Sequence, residues 1–340
     1  MSAPTQTLSI RQIQIETDDA RTFELDVPQE HHPLFRGRAG QFLRILIPGD
    51  LANFARSYSL SSSPEIGEPL RFTVKRVTGG SVSNRLVSQL RAGDLLRVDP
   101  PAGSFTLRND NVPLLLIAGG SGITPVFSLL KTALHTTTRK ITLLYTNRNR
   151  ASVIFAKQIE ALQKTYASRF TVISHASDEQ GFFTEEYLRE LISSDRHNHI
   201  YVCGPATLID KIETAFGSLD CSGDRELICE RFIPQALNNC AVTANVAPPM
   251  HTSVLIRIDG NDYSFSCSNS ENLVDAALNA GVPIPYSCKE GHCGACKGQV
   301  LEGEVRQNGA LALTKRDHER GYVLACCSVV HSASLTIDYV

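Results

Sequence analysis

The chain has 340 residues, of which 42% are hydrophobic and 20% are charged, values typical of a globular protein with sizeable cores. This length favours two or three domains over one. With a formal net charge of −2, no basic excess argues for nucleic-acid binding, so we expect no nucleic-acid partner. The first residues lack the basic and apolar order of a signal peptide, and the unbroken apolar runs are too short to cross a bilayer. We therefore expect a cytoplasmic protein that does not insert into membranes.

Residues 1–108 carry short segments rich in β-branched and apolar residues, separated by turns that contain glycine, proline and aspartate. The predicted strands are Leu8–Ile15, Phe23–Val27, Phe42–Ile47, Leu70–Val77 and Leu95–Val98. Short strands at this spacing predict an antiparallel β-barrel.

Between residues 109 and 232, predicted strands alternate with predicted helices. Leu114–Ile117 is a continuous apolar run, as in a parallel strand buried on both faces. The further strands are predicted at Ile141–Tyr145, Phe170–Ser174 and Ile200–Cys203, and the helices at a stretch ending at Leu134, Ala156–Tyr166, Glu185–Ile192 and Pro205–Phe216. This alternation predicts an α/β domain with a doubly wound parallel sheet.

Residues 233–252 lose this periodicity and include Pro248 and Pro249, which predicts a linker. A flexible segment of that length lets its flanking domains move relative to each other. Strands are predicted again at Val254–Ile258, Tyr263–Cys267 and Leu335–Tyr339, with a helix at Leu273–Ala280. Residues 253–340 therefore form a third predicted domain.

Ten cysteines in a chain without an export signal point to metal binding or catalysis before disulfides. Three of them, Cys288, Cys293 and Cys296, have the spacing C-x4-C-x2-C, and Cys326 follows 30 positions after the third. This is the pattern of a plant-type [2Fe-2S] cluster, in which two tetrahedral irons take four thiolates. Gly291 would let backbone N–H groups approach the sulfurs closely, as would Gly294.

Other metal sites fit these cysteines less well. A zinc site with four cysteine ligands usually pairs two C-x2-C knuckles, and only one such pair occurs. A Rieske centre needs two histidines in place of two thiolates, and His292 has no partner at a suitable spacing. Cys327 remains an alternative to Cys326 as the fourth ligand. The remaining cysteines, which show no ligand spacing, are Cys203, Cys221, Cys229, Cys240 and Cys267.

Four short motifs suggest phosphate and flavin binding. Residues 119–125 form a glycine-rich turn between a strand and a helix, where backbone N–H groups can bind a pyrophosphate. Residues 203–205 form a second turn between a strand and a helix, at the sheet edge where ligands of α/β proteins bind. Residues 56–60 combine an arginine, a tyrosine and serines, and residues 80–83 suit a second phosphate. Each motif alone is equally typical of an ordinary turn or strand, so their order along the chain carries the inference.

That order resembles the ferredoxin–NADP reductase superfamily over residues 5–232, followed by a plant-type ferredoxin over 253–340. The chain resembles reductase components of Rieske oxygenases of the 3-ketosteroid 9α-hydroxylase type, and is similar to phenylacetyl-CoA epoxidase reductase. The segments that carry the likeness are Val74–Arg76, Ser83-Asn84, Ser152–Phe155 and Glu290–Cys296. The resemblance implies a multi-domain fold: a flavin-binding antiparallel β-barrel, an α/β doubly wound nucleotide domain and a β-grasp ferredoxin.

The resemblance also implies roles for individual residues. Arg56 would bind the flavin phosphate, Tyr58 would face the isoalloxazine, and Ser59 would lie near its N5. The other implied flavin-binding residues are Val74, Lys75, Gly80, Ser83 and Phe232, and the implied nicotinamide-nucleotide residues are Gly120, Gly122, Thr124, Pro125, Gly204 and Pro205. The implied catalytic residues are Ser59, Cys203 and Glu230. Arg231 stands where relatives often have an aliphatic residue.

Together these features predict an enzyme. A nicotinamide gives up two electrons as hydride, whereas a [2Fe-2S] cluster accepts one at a time, and a flavin can do both. We therefore expect an NADH-dependent reductase component that passes electrons through FAD and the cluster to a Rieske-type mono- or dioxygenase. FAD is favoured over FMN by resemblance, as is a monomer, and NADH is favoured over NADPH although Arg148 and Arg150 lie where the ribose is read. The alternatives are a diiron oxygenase or desaturase as partner, and a non-catalytic redox-sensing flavoprotein.

Overall fold

The structure is a computed structural model of the chain. It describes residues 5–47, 54–193, 199–219, 225–232, 251–258, 260–268, 271–286, 291, 294–307, 309–310, 312–313 and 315–339. The chain divides after Phe232 into two compact units. None of the helices in these ranges has both the length and the apolar character that a bilayer crossing requires.

The first part of the amino-terminal unit is an antiparallel barrel. Its strands are β1 (Gln6–Thr17), β2 (Ala20–Asp26), β3 (Phe42–Ile47), β4 (Phe54–Ser59), β5 (Arg71–Lys75) and β6 (Leu95–Val98), with one helix, α1 (Ser81–Gln89). The strand order is β4-β3-β6-β1-β2-β5, and a bridge between Leu60 and Phe72 closes the sheet at its two edges. Alternate apolar side chains fill the interior, where the rings of Phe23 and Phe72 stack at 5.1 Å.

The second part of this unit is a parallel sheet covered by helices. Its elements are β7 (Leu114–Gly119), α2 (Ile123–Thr136), β8 (Ile141–Asn147), α3 (Ala156–Thr165), β9 (Phe170–Ala176), α4 (Ser177–Gln180), α5 (Glu185–Ser193), β10 (His199–Gly204), α6 (Ala206–Gly217) and β11 (Leu227–Arg231). The strand order is β11-β10-β7-β8-β9, with every neighbour parallel. All residues of β7 and β10 are buried, as strands covered on both faces require.

Helix α2 joins the parallel sheet to the barrel. Its apolar face shares one core with barrel residues such as Ala39 and Phe105. Beside this core, the Ser128 hydroxyl donates to the carbonyl of Ser62, and Lys131 forms an ion pair with Glu68. Burial lowers the pKa of Lys131, and the negative charge of Glu68 opposes that shift. Helix α2 is therefore held against the barrel by apolar and paired polar groups together.

The carboxy-terminal unit is a mixed sheet with a helix packed against it. Its elements are β12 (His251–Ile258), β13 (Asn261–Ser268), α7 (Leu273–Asn279), β14 (Lys297–Glu302), β15 (Val305–Gln307), α8 (Lys315–Glu319), β16 (Tyr322–Leu324), β17 (Ser328–Val330) and β18 (Ser334–Tyr339). The main sheet has the order β13-β12-β18-β14-β16, in which β12 and β18 are parallel, and β15 pairs with β17.

The structure contains elements that the sequence pattern did not predict. Strand β4 has the polar sequence FARSYS, and α1 follows two glycines and is rich in serine and valine, which are mediocre helix formers. Strands β15 to β17 have three residues each, too few to show an alternating pattern. Of the predicted linker, residues 233–250 lie outside the described residues. Strand β12 begins at His251, so its first two residues fall within the predicted linker.

Candidate functional site

The three predicted catalytic residues lie together where the barrel meets the parallel sheet. Ser59 ends β4, and its hydroxyl donates to the carboxylate of Glu230 in β11 at 3.2 Å, although the two residues are 171 positions apart. Cys203 of β10 pairs in register with Glu230 across the sheet. The exposed fractions are 3% for Ser59, 0% for Cys203 and 9% for Glu230. The structure thus forms one buried polar cluster from three distant segments.

The thiol of Cys203 is neutral in this cluster. Burial raises its pKa well above the ordinary value, and the nearby carboxylate of Glu230 raises it further. A thiol with a raised pKa is a poor nucleophile. Cys203 is therefore suited to packing and weak hydrogen bonding beside a bound ring, and not to covalent catalysis.

Arg56 and Tyr58 lie on one face of β4 and Ser59 on the other, because side chains alternate along a strand. The ring of Tyr58 packs 5.8 Å from the ring of Phe72, and burial raises the pKa of its hydroxyl although the positive charge of Arg56 acts in the opposite direction. The side chain of Val74 is buried in the barrel core, which leaves its backbone to line a ligand. Lys75 is partly exposed and lies 3.8 Å from Asp19.

Gly80 forms a tight turn at the start of α1. Within the described residues no side chain caps this helix, so the N–H groups of its first turn are available to an anion. A Cβ atom on Gly80 would lie 2.8 Å from the hydroxyl of Ser83 and 3.1 Å from the carbonyl of Val77. The Ser83 hydroxyl accepts a hydrogen bond from the backbone N–H of Val77 at 3.1 Å, which shapes the turn. These features fit the pyrophosphate of FAD.

Two glycine turns at the carboxyl edge of the parallel sheet contact each other through their backbones. A Cβ on Gly122 would lie 2.2 Å from the carbonyl oxygen of Cys203, and a Cβ on Gly119 would lie 2.6 Å from the ring of Pro205. Gly120 has open space around it but a φ of +53°, which other residues rarely adopt. Position 122 therefore requires glycine because there is no room for a side chain, and position 120 favours glycine because of its positive φ.

Both turns lead into helices whose first N–H groups are not capped by any described side chain. The Thr124 hydroxyl donates to the carbonyl of Ser121 at 3.1 Å, and Pro125 occupies the first turn of α2, where its missing N–H costs nothing. Pro205 precedes α6 next to Gly204. Two helix N-termini without a side-chain cap at this edge of the described parallel sheet suit the phosphates of a nicotinamide dinucleotide.

The predicted cluster ligands are only partly within the described residues. Cys296 and Cys326 are buried, and the backbone N–H of Cys326 donates to the sulfur of Cys296 at 3.4 Å. The sulfur of Cys327 lies 3.7 Å from that of Cys326. Cys288 and Cys293 lie outside the described residues.

Both glycines of the predicted cluster loop have a positive φ. Gly291 has a φ of +77° and Gly294 one of +71°. A Cβ on Gly291 would lie 2.3 Å from the carbonyl oxygen of Gly309 and 2.5 Å from the sulfur of Cys327. The described thiols are buried, one of them accepts a hydrogen bond from a backbone N–H, and a tightly packed glycine lies beside them. Such thiols fit a [2Fe-2S] cluster.

The sequence analysis missed an acidic segment beside the predicted ribose loop. Helix α4 carries Asp178 and Glu179, and Glu179 forms an ion pair with Arg150 at 3.2 Å. The backbone N–H of Asp178 donates to the carbonyl of Arg148 at 3.0 Å. The sequence shows the acidic pair four residues after the predicted strand Phe170–Ser174, but only the structure places the pair against the loop.

Three family models match the chain in the order of the sites described above. They are "Oxidoreductase FAD-binding domain" over residues 7–107, "Oxidoreductase NAD-binding domain" over 116–214 and "2Fe-2S iron-sulfur cluster binding domain" over 256–331. The protein is therefore an NAD(P)H-dependent oxidoreductase that uses FAD and a [2Fe-2S] cluster, and the predicted fold class and cofactors are confirmed.

Relatives match along nearly the whole chain. The ferredoxin reductase component of 3-ketosteroid-9-alpha-monooxygenase from Rhodococcus rhodochrous is 36% identical over 340 residues, covering 98% of this chain and 96% of that protein. A 1,2-phenylacetyl-CoA epoxidase subunit from Escherichia coli K12 is 31% identical, with 98% of this chain and 97% of that protein covered. The solved structure of phthalate dioxygenase reductase superposes with a TM-score of 0.62 at 25% identity, with 98% of each chain covered. The chain belongs to this family of modular flavin and iron–sulfur reductases.

A side chain at position 122 should disturb the contact between the two glycine turns. We expect Gly122→Ala to cost about 1–3 kcal/mol of the free energy of unfolding, because its Cβ would overlap the backbone of the second turn. We also expect kcat/KM for NADH to fall on the order of tenfold or more, since a displacement near 1 Å at a reacting site can cost about 100-fold.

The matched control is Gly217→Ala, because a Cβ at that helix terminus meets no atom within 4 Å. Thermal unfolding and steady-state kinetics with NADH provide both readouts. If Gly122→Ala used NADH as efficiently as Gly217→Ala, the close contact would have no functional importance.

Proposed function

We propose that this chain is the NADH-dependent reductase component of a multicomponent oxygenase, and that its electron acceptor is a Rieske-type mono- or dioxygenase. The observation that carries the proposal is the 36% identity, over 98% of the chain, to a protein named as the ferredoxin reductase component of a monooxygenase. The cluster formed by Ser59, Cys203 and Glu230 supports it, because it lies between the flavin-binding and nucleotide-binding segments.

FAD, when bound, accepts two electrons from a nicotinamide and releases them singly to a one-electron acceptor. The task of the chain is to orient the two rings and exclude water. Arg56 would bind the flavin phosphate, and Gly80 would cradle the pyrophosphate. The turns at 119–122 and 203–205 would hold the nicotinamide nucleotide. Phe232, with 38% of its surface exposed, would lie against the flavin ring.

Ser59 and Glu230 would act at the hydride-transfer site. The Ser59 hydroxyl can rotate to donate either to Glu230, as it does in the structure, or to a ring nitrogen. The carboxylate of Glu230 accepts that hydrogen bond and holds the hydroxyl in place. Both groups are buried, so their dipole and charge act with little screening by water.

The central test is NADH-driven reduction of cytochrome c by protein loaded with FAD and cluster. We expect turnover in the wild type and a fall on the order of 10- to 100-fold in Glu230→Gln, with FAD content unchanged, because a preorganised polar contact is lost. Glu160→Gln is the control, since this glutamate lies on the exposed face of α3. Fully loaded protein that reduced neither cytochrome c nor a dye, with NADH or NADPH, would exclude the proposal.

We propose Cys288, Cys293, Cys296 and Cys326 as the four cluster ligands. Cys326→Ala and Cys327→Ala are a matched pair, because the two thiols are adjacent and both buried. We expect the first variant to lose iron and acid-labile sulfide, whereas the second retains both together with its electron paramagnetic resonance signal. Loss of iron in Cys327→Ala but not in Cys326→Ala would reverse the assignment. Stoichiometric zinc in the wild type would exclude the cluster.

We propose NADH as the preferred donor. Asp178 and Glu179 place negative charge beside the loop at 148–150, and the ion pair with Glu179 neutralises Arg150, which could otherwise bind a 2′-phosphate. The pair is largely exposed, so its effect is modest.

We therefore expect wild-type protein to favour NADH in kcat/KM, and Glu179→Gln to raise kcat/KM for NADPH roughly two- to fivefold. Kinetics with both nucleotides decide this, with Glu160→Gln as the control for removal of an exposed acid. Wild-type preference for NADPH would contradict the proposal.

We also propose domain boundaries at 1–108, 109–232 and 253–340 with a linker at 233–252, a monomeric state and a cytoplasmic location.

An acceptor of another kind is the second candidate, because the relative at 31% identity is named as part of an epoxidase. Titration of the reduced protein with a purified Rieske oxygenase, and separately with a purified diiron oxygenase, distinguishes the two when reoxidation of the flavin and the cluster is followed by absorbance.

A further inference from the structure

Arg231 forms two ion pairs with helix α6. One terminal nitrogen of its guanidinium lies 2.8 Å from Asp210, and the other lies 2.8 Å from Glu213. The two carboxylates are three residues apart on the helix, so they lie on the same face, and one planar guanidinium reaches both. The side chain of Arg231 is 19% exposed, which shields the pairs in part from water.

These ion pairs anchor the end of an edge strand. Strand β11 lies at the edge of the described parallel sheet and pairs with β10, with Glu230 opposite Cys203 and Arg231 opposite Gly204. Terminal residues of edge strands open more readily than the interior of a sheet. Arg231 therefore supports the strand directly between the carboxylate that contacts Ser59 and the exposed ring of Phe232.

The same ion pairs connect this strand end to the nicotinamide turn. Helix α6 begins directly after Pro205, so Asp210 and Glu213 lie in a rigid element that starts at the turn. Through Arg231, the turn and the end of β11 are held in one arrangement. An aliphatic residue at this position would leave two carboxylates facing an apolar side chain.

We propose that Arg231 is a positioning residue for hydride transfer: its pairs with Asp210 and Glu213 fix Glu230 and Phe232 relative to the turn at 203–205. This inference rests on the proposed function, which places the flavin and nicotinamide at these residues. Partly exposed ion pairs contribute little to stability, whereas a displacement near 1 Å at a reacting site can cost up to about 100-fold in rate. Arg231 therefore acts mainly on the rate of transfer.

The test uses full-length protein loaded with FAD and cluster. Arg231→Met keeps most of the side-chain length but removes the charge. In anaerobic stopped-flow measurements we expect it to lower the limiting rate of flavin reduction by NADH roughly tenfold, with FAD content and the dissociation constant for NADH near the wild-type values. Lys164→Met is the matched control, because it removes an exposed ion pair within α3 of the same domain.

A second variant removes the same ion pairs without altering β11. The double variant Asp210→Asn with Glu213→Gln should slow flavin reduction to a similar extent, and Arg231→Lys should recover part of the rate. Wild-type rates in both Arg231→Met and the double variant would overturn the inference, as would a fall in rate that only tracked loss of FAD. Wild-type protein that NADH and NADPH cannot reduce would instead refute the proposed function.

Discussion

Transfer of a hydride requires the nicotinamide and the flavin to touch, so the two segments that bind them must keep a fixed relation. The hydrogen bond between Ser59 and Glu230 spans that junction at 3.2 Å. It depends on helix α2, which shares an apolar core with the barrel and pairs its Lys131 with Glu68. Because α2 begins at the glycine turn proposed to bind the nucleotide, the contact between α2 and the barrel also fixes the position of that turn.

Close backbone approach is the second constraint on this site. The turns at 119–122 and 203–205 occupy the space that a side chain at Gly122 would need. Their contact aligns two helix N-termini at the same edge of the sheet, which concentrates partial positive charge where phosphates bind. Cys203 lies at this contact with a neutral thiol, because burial and the charge of Glu230 both raise its pKa. Helix N-termini without a side-chain cap therefore lie close to a neutral thiol and a buried carboxylate.

Much of the fold could be predicted from the sequence, because the buried strands β7 and β10 are continuous apolar runs and the turns between them carry glycine or proline. Strand β4 and helix α1 could not, since β4 alternates polar and apolar residues weakly and α1 has low helix propensity. The site motifs were recognisable by their order along the chain, but the contact between Ser59 and Glu230 is a tertiary contact with no local signal. The same holds for Lys131 and Glu68, and for the ion pair between Arg150 and Glu179.

The role proposed for Arg231 follows from its place at the end of an edge strand. Glu230 belongs to the last strand of the parallel sheet, and the predicted linker follows Phe232 directly. A strand end next to a linker has neighbouring backbone on one side only, so ladder hydrogen bonds hold it less firmly than a central strand. Apolar packing would be one way to fasten it. Helix α6 instead presents Asp210 and Glu213 at this point, and an arginine is the side chain whose planar fork pairs with two carboxylates at once. Two hydrogen-bonded ion pairs on one guanidinium fix the orientation of the strand end as well as its distance from α6. Hydride transfer between a flavin ring and a nicotinamide ring, as proposed for this site, requires both to be fixed.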